Sequence, residues 1–240
     1  MSIKRLKETL AAEYPYRIEL HAHTTPASKC SEITPQQMVR SYKDIGFDAL
    51  VLTNHFLRKE DISKEEYMDF YMADYEQTRE AGERLGIKVY LGTEIRFTEN
   101  SNEFLIFGVT RSMLEDIYDL LPYGVANFRQ QYSMPDSVFI QAHPMRKNSQ
   151  PVEPELLDGV EVLNTHPHHD SKIGPTALYA WENNMEIITG GSDFHHPNLK
   201  HEGLSAMRTR CLPEDSFGLA EILKEKDYIL ELGRGILVLP

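Results

Sequence analysis

The chain has 240 residues, 41% of them hydrophobic and 10% aromatic, which is enough apolar side chain for one core and too little length for two ordinary domains with a linker. A mainly disordered chain and a small disulfide-stapled module are excluded, and one domain over residues 1–240 is expected. With 25 Lys+Arg against 37 Asp+Glu, a formal charge of −12, sequence-independent binding of nucleic acid or of an anionic membrane is not expected.

In chain order, Met1-Ser2-Ile3-Lys4 has no leader-like pattern. There are two cysteines, Cys30 and Cys211, and no apolar run of membrane-spanning length, so a reduced, soluble, cytoplasmic protein is the expectation. Short apolar runs at 16–20, 49–53, 89–93, 103–108, 138–142, 159–163 and 187–190 read as buried strands. Thr34-Pro35 reads as an N-cap with proline at the first helical position, opening a helix that ends near Gly46. Ser63-Lys64-Glu65-Glu66 is a capping box for a long helix ending near Gly86. Tyr67, Tyr71 and Tyr75 recur every four residues on that helix and read as a packing stripe. The segments 89–97 and 103–109, joined by Thr98-Glu99-Asn100-Ser101-Asn102, read as a hairpin-like pair. Two more helices fall at 174–184 and 214–226. Strand–helix alternation of this kind predicts an α/β fold with a parallel sheet, open or closed into a barrel, whose site lies at the carboxyl ends of the strands.

Histidines and carboxylates stand at those ends. His21-Ala22-His23 follows the first run and His55 the second; Glu94 follows the third and His143 the fifth. His166 follows the sixth, and Asp193-Phe194-His195 the last. In His21-x-His23 the strand period of two sends both imidazoles to one side, within reach of one cation. Asp193-x-His195 repeats the spacing, and the Glu94 carboxylate suits a bridge between two ions. Either pair alone is weak evidence, but together they predict one multi-metal pocket. His166, His168 and His169 either line it or occupy a solvated loop. Asn164 orients a ligand or caps a turn. His196 and His201 read as exposed or supporting residues, and Cys30 as a small buried one.

His21-Ala22-His23-Thr24, Leu52-Thr53-Asn54-His55, Gly92-Thr93-Glu94-Ile95, Ala142-His143-Pro144 and Gly191-Ser192-Asp193-Phe194-His195 resemble, in order, the motifs of the PHP (polymerase and histidinol phosphatase) family, from about residue 16 to about 197. The resemblance implies a distorted, TIM-like (β/α)7 barrel with two or three divalent ions (Zn, Mn or Fe) and phosphoesterase activity. It implies that His21, His23, Glu94 and Asp193 hold a first metal, Glu94 and His143 a second, and His55 and His195 a third. Departures are visible. Lys29 stands where another His is frequent, residues 95–142 contain no His, and Asn54 replaces the Asp usual before His55. The second and third positions are therefore each one ligand short, to be filled by Cys30, a water, the substrate, His166 or His168. Arg146, close after Ala142-His143-Pro144, is where the family can bind substrate phosphate with a guanidinium fork; its plain alternative is a surface ion pair. Lys29 and Lys147 are weaker candidates for that role.

The expectation is thus a phosphoesterase for a small phosphorylated molecule, histidinol-phosphatase-like or acting on a nucleotide. A metal-bound hydroxide would attack phosphorus in line, Arg146 would help neutralise the phosphoryl oxygens, and His195, Asp193 or, since both are tied up as ligands, a water would protonate the leaving group. No stable nucleic-acid complex and no membrane partner are expected. A metal-dependent amidohydrolase also opens with His-x-His on a barrel strand, and a non-catalytic accessory PHP module is the third reading.

Overall fold

The structure is a computed structural model that describes residues 2–197, 204–233 and 235–240. His201 lies outside the described residues. The chain runs through α1 (Ile3–Glu13), β1 (Tyr16–Ala22), α2 (Pro35–Asp44), β2 (Ala49–Leu52), β3 (His55–Leu57), α3 (Lys64–Leu85), β4 (Lys88–Arg96) and β5 (Glu103–Phe107). It continues with α4 (Arg111–Leu120), α5 (Gly124–Gln131), β6 (Val138–Gln141), β7 (Gly159–Asn164), α6 (Ile173–Glu182), β8 (Ile187–Gly191), β9 (Ser205–Thr209), α7 (Ser216–Glu225), β10 (Tyr228–Leu232) and β11 (Ile236–Val238).

The predicted caps form. Thr34 and Gln37 make a reciprocal capping box at α2, Ser63 and Glu66 make another at α3, and α3 ends on Gly86 in the left-handed conformation. The predicted helix at 174–184 is α6, starting one residue earlier, and the one at 214–226 is α7, whose N-cap is Asp215. Between β6 and β7 the described connection contains only the 3-10 turn Pro154–Leu156.

The strands form one sheet in the order β11-β10-β9-β1-β2-β4-β5-β6-β7-β8, with β3 beside the outer half of β4. Pairs β1–β2, β2–β4, β6–β7 and β7–β8 are parallel. The hairpin β4–β5 is antiparallel, as predicted, and β5–β6 is antiparallel too, so plain βα alternation is interrupted at β5. The sheet curls until β8 comes up against β1. The first half of β1 pairs with β9, while its last residues meet the segment after β8 through an Ala22–Phe194 bridge and an Asp193 N–H to His21 carbonyl bond of 2.7 Å. The result is a mixed α/β half-barrel.

Burial explains the curl. Leu20, Val51, Leu105, Ile140, Val160 and Met207 fill its inside together with Leu219 and Leu223 of α7. Outside, α3, α4 and α5 pack Tyr67, Tyr71, Ile117 and Phe128 onto Ile106 and Phe139. Met38 and Val39 of α2 pack onto Leu50, Leu52 and Phe194. The tyrosine stripe packs as expected and also fixes a corner, because Tyr71 donates to the Asn54 carbonyl at 2.7 Å and Tyr67 accepts from Leu57 N.

Candidate metal centre

The carboxyl ends of β1, β2, β6, β7 and β8 converge with the outer half of β4 and the first residues of β3 and β5. The parallel register of β3 on β4 sets His55 level with Glu94, and the hairpin register sets Glu103 opposite Arg96 at the same rim. Irregular register between Glu19 and Ala22 in β1 and between Glu161 and Leu163 in β7 lets the strand ends turn inward. Two of the expected ligands sit in the left-handed backbone region, His143 at φ +27° and Asp193 at φ +52°. Such strain amounts to about 1–3 kcal/mol per residue and persists where surrounding contacts over-determine it.

His21, His23, His55, Glu94, His143, Asp193 and His195 all come together. Glu94 is at the middle. Its Oε1 lies 3.3 Å from His21 Nε2 and 3.2 Å from His143 Nε2, and its Oε2 lies 3.3 Å from His23 Nε2 and 2.9 Å from His55 Nδ1. Asp193 Oδ1 is 3.6 Å from His21 Nε2, and 3.3 Å from both His23 Nε2 and His195 Nδ1.

The outer hydrogen bonds fix the ring tautomers. His21 Nδ1 donates to Glu161 Oε1 at 2.8 Å. Ser28 donates its hydroxyl proton to Asn54 Oδ1, so His23 Nδ1 is the donor in its 3.3 Å contact with Ser28 Oγ. His195 Nδ1 donates to the Asp193 carbonyl at 2.6 Å. In all three rings the Nε2 lone pair is left for the centre, the arrangement a metal requires.

Charge follows from the same geometry. Burial pushes the Glu94 and Asp193 carboxyls up, but the surrounding imidazoles outweigh it, and Arg146 adds to them at Asp193; both are held well below the usual range. At His21 burial acts downward and is outweighed by Glu161, Glu94 and Asp193, which raise it well above the ordinary value. Burial and the facing Glu94 push Glu103 up, against His55, His143 and Arg96. His21 Nε2, His23 Nε2, His55 Nδ1 and Glu94 Oε2 are buried and make no hydrogen bond. Unpaired buried polar atoms clustered in this way are costly unless cations satisfy them. Groups within reach of one ion are His21, His23 and Asp193; His21, Glu94 and His143; His23, His55 and His195; and His55, Glu94 and Glu103. The donor set therefore fits divalent cations.

The remaining candidates divide. Arg146 lines the cavity, but its Nη2 is engaged by Asp193 Oδ2 at 2.6 Å, Asn164 Oδ1 at 2.7 Å and Ser171 Oγ at 3.3 Å, which makes it a brace for Asp193 as well as a cavity cation. Asn164 donates to Glu161 and Asp193, so it orients site residues. His166 is buried and lines the cavity. Its Nδ1 accepts from His168 N at 3.2 Å, and burial pushes its pKa down to about 3, leaving a neutral ring with an Nε2 proton. His168 and His169 are exposed on the cavity rim, and His196 is paired with Glu32 at 3.4 Å. Lys29 is exposed and does not line the cavity, whereas Lys147 does. Cys30 is not the small buried residue expected. It is exposed at the cavity, where burial acts upward on the thiol but hydrogen bonds to His195 and His55 prevail and bring it down to about 7.

Four acidic residues escaped the sequence reading. Glu161 binds His21 and, through Oε2, His143 N at 3.0 Å. Glu19, buried and pushed up to about 7 by that burial, accepts from the amides of His21 and Ser192 at 2.8 and 2.9 Å. Asp74 of α3 accepts from Asn54 Nδ2 at 2.7 Å, supplying the carboxylate that position 54 lacks. Glu103 faces His55 and His143. The available signal was a charged residue inside or bounding a run otherwise apolar, as in Val160-Glu161-Val162.

A family model described as PHP domain matches residues 19–170. No curated protein matches. Among solved structures, the chain resembles a two-domain protein from Bacteroides vulgatus ATCC 8482 that contains a predicted PHP-like metal-dependent phosphoesterase, with a TM-score of 0.61, 17% identity, and 91% of this chain and 65% of that one covered. This chain thus spans about two thirds of that protein's length. It also resembles PsfC from Pseudomonas syringae PB-5123, with a TM-score of 0.58, 15% identity, and 94% and 91% of the two chains covered. At these identities the likeness is one of fold.

Proposed function

The chain belongs to the PHP domain family, and on that premise we propose that it is a metal-dependent phosphoesterase acting on a small phosphorylated molecule. The observation that carries this reading is the set of buried, unpaired atoms of His21, His23, His55 and Glu94, shared among overlapping groups that are each within reach of one ion, with His55, Glu94, His143, Asp193 and His195 lining a cavity of about 380 Å³. His21, His23, Glu94 and Asp193 would hold one cation, Glu94 and His143 a second, and His55 and His195 a third. Two or three divalent ions of the zinc, manganese or iron kind would supply Lewis acidity toward a phosphoryl oxygen and toward water.

The chain's own groups do the rest. Arg96, Arg146 and Lys147 line the cavity against Glu94, Glu103 and Asp193, so bound divalent ions would make the lining cationic and suited to an anion, inside a protein whose overall charge is −12. His166, kept neutral and with its proton on Nε2, donates a hydrogen bond to a phosphoryl oxygen. Arg146 keeps Asp193 aligned, and Glu161 and Asn164 keep His21 and Asp193 in register. Asp193 is held as a carboxylate and the Nδ1 proton of His195 is engaged by the Asp193 carbonyl, so a water positioned beside these two groups delivers the proton to the leaving oxygen.

The test is a substrate comparison. Chelator-stripped protein, reloaded separately with Mn2+, Zn2+ and Fe2+, is offered phosphate monoesters, phosphodiesters and amides. Phosphate release with at least one metal and none from stripped protein is expected. Amide cleavage without phosphate-ester cleavage would make the protein an amidohydrolase instead. Metal-free protein as purified, with neither activity, would point to an accessory module.

A further inference from the structure

Two positions of the centre lack an imidazole, and a carboxylate that the sequence reading did not single out stands between them. Glu103 opens the antiparallel strand β5. Its Oε1 lies 3.5 Å from His55 Nδ1 and its Oε2 lies 3.6 Å from His143 Nε2. Glu94 does the same from the opposite side, with Oε2 2.9 Å from His55 Nδ1 and Oε1 3.2 Å from His143 Nε2. Each carboxylate thus offers one oxygen to the His55 end and the other to the His143 end. The arrangement is not merely acidic. Glu94 is fully buried with Oε2 unpaired, and His55 Nδ1 is unpaired too. The other charged neighbour of Glu103 is Arg96, whose Nη1 approaches Oε1 at 3.6 Å from the more exposed side.

We propose that Glu94 and Glu103 together bridge a pair of divalent cations, one capped by His55 and the other by His143. A second bridging carboxylate adds an oxygen donor at both the His55 end and the His143 end, and each added carboxylate oxygen moves the donor set toward what suits manganese or iron(II) rather than zinc. The His21, His23 and Asp193 cluster, with two imidazoles to one carboxylate, is the nitrogen-rich neighbour of that pair. The inference rests on the metal-dependent reading above and adds to it a specific ligand, a bridging mode and a metal preference.

The experiment is a Mn2+ titration of chelator-stripped protein, followed by bound metal per chain and by electron paramagnetic resonance. Wild-type protein is expected to show an exchange-coupled manganese pair. Glu103→Ala is expected to lose the coupled signal while still binding manganese without coupling, and that retained binding reports a folded centre. Glu103→His is expected to shift the Zn2+ over Mn2+ preference in competition by about tenfold or more. A coupled pair persisting in Glu103→Ala would overturn the bridge while leaving metal dependence intact. Wild-type protein that binds no Mn2+, Zn2+ or Fe2+ would overturn the metal-dependent reading itself, and the bridge with it.

Discussion

The two flanks of the centre are built differently. On the flank of β1, β7 and β8 the proposed metal ligands are held from behind by buried groups. Glu161 grips His21 Nδ1 and the His143 amide, Glu19 ties the amides of His21 and Ser192, and Arg146 and Asn164 converge on Asp193. On the flank of β3 and β5, His55 and Glu103 are partly open to solvent, at 19% and 15% of their side chains, and Glu103 has only the half-exposed Arg96 beyond it. Ligands held on all sides cannot be exchanged without disturbing the strand ends. Ligands at an open rim can be replaced by another donor, and that is where this chain carries a glutamate and an exposed cysteine near the histidines.

That contrast can be broken at several strengths. Asp193→Ala removes a ligand of the braced flank and leaves Arg146 facing buried imidazoles; hydrolysis of a phosphate ester should fall by at least about 100-fold, with loss of bound metal, in a steady-state assay paired with metal analysis. Glu161→Ala strands the His21 ring and the His143 amide without that acceptor and leaves the Asn164 amide with Asp193 alone. It should lower stability by about 3–5 kcal/mol in urea denaturation, because one partner of a buried pair is removed. Gly191→Ala adds a methyl group that meets the His21 Cβ and comes within 2.8 Å of Glu161 Oε1; a loss of about 1–3 kcal/mol by overpacking is expected from the same measurement. Ser63→Ala, far from both flanks, should cost about 1 kcal/mol through the lost α3 cap and leave metal content unchanged. A Glu161→Ala protein as stable as wild type would remove the distinction between the flanks.

The legible parts were those with local causes. The caps at Thr34 and Ser63, the hairpin at 98–102 and the seven apolar runs each depend on neighbours in sequence, and all have counterparts in the fold. The His21–His23 pair, Glu94, His143 and the Asp193–His195 pair could be placed because strand ends of an α/β sheet share one face. The strands β9, β10 and β11 were not anticipated. β9 reads Ser-Ala-Met-Arg-Thr, without clear alternation, and exists because it finds β1 and β10 as antiparallel partners. β3 is three residues long and depends on its register with β4. The same holds for Glu161, Glu103, Glu19 and Asp74. Each is a single acidic residue with a partner distant in sequence, and composition carries no trace of that pairing.

The most direct test of a cation-dependent phosphoesterase centre follows metal and chemistry in one sample. Chelator-stripped protein is titrated with Mn2+ while bound manganese and phosphate release from a small phosphate monoester are measured together. Phosphate release should be absent without metal and rise with occupancy in wild-type protein, and Asp193→Ala should show neither tight binding nor release. Release that is undiminished in stripped protein, or full occupancy with no release from any phosphate ester, would contradict the account.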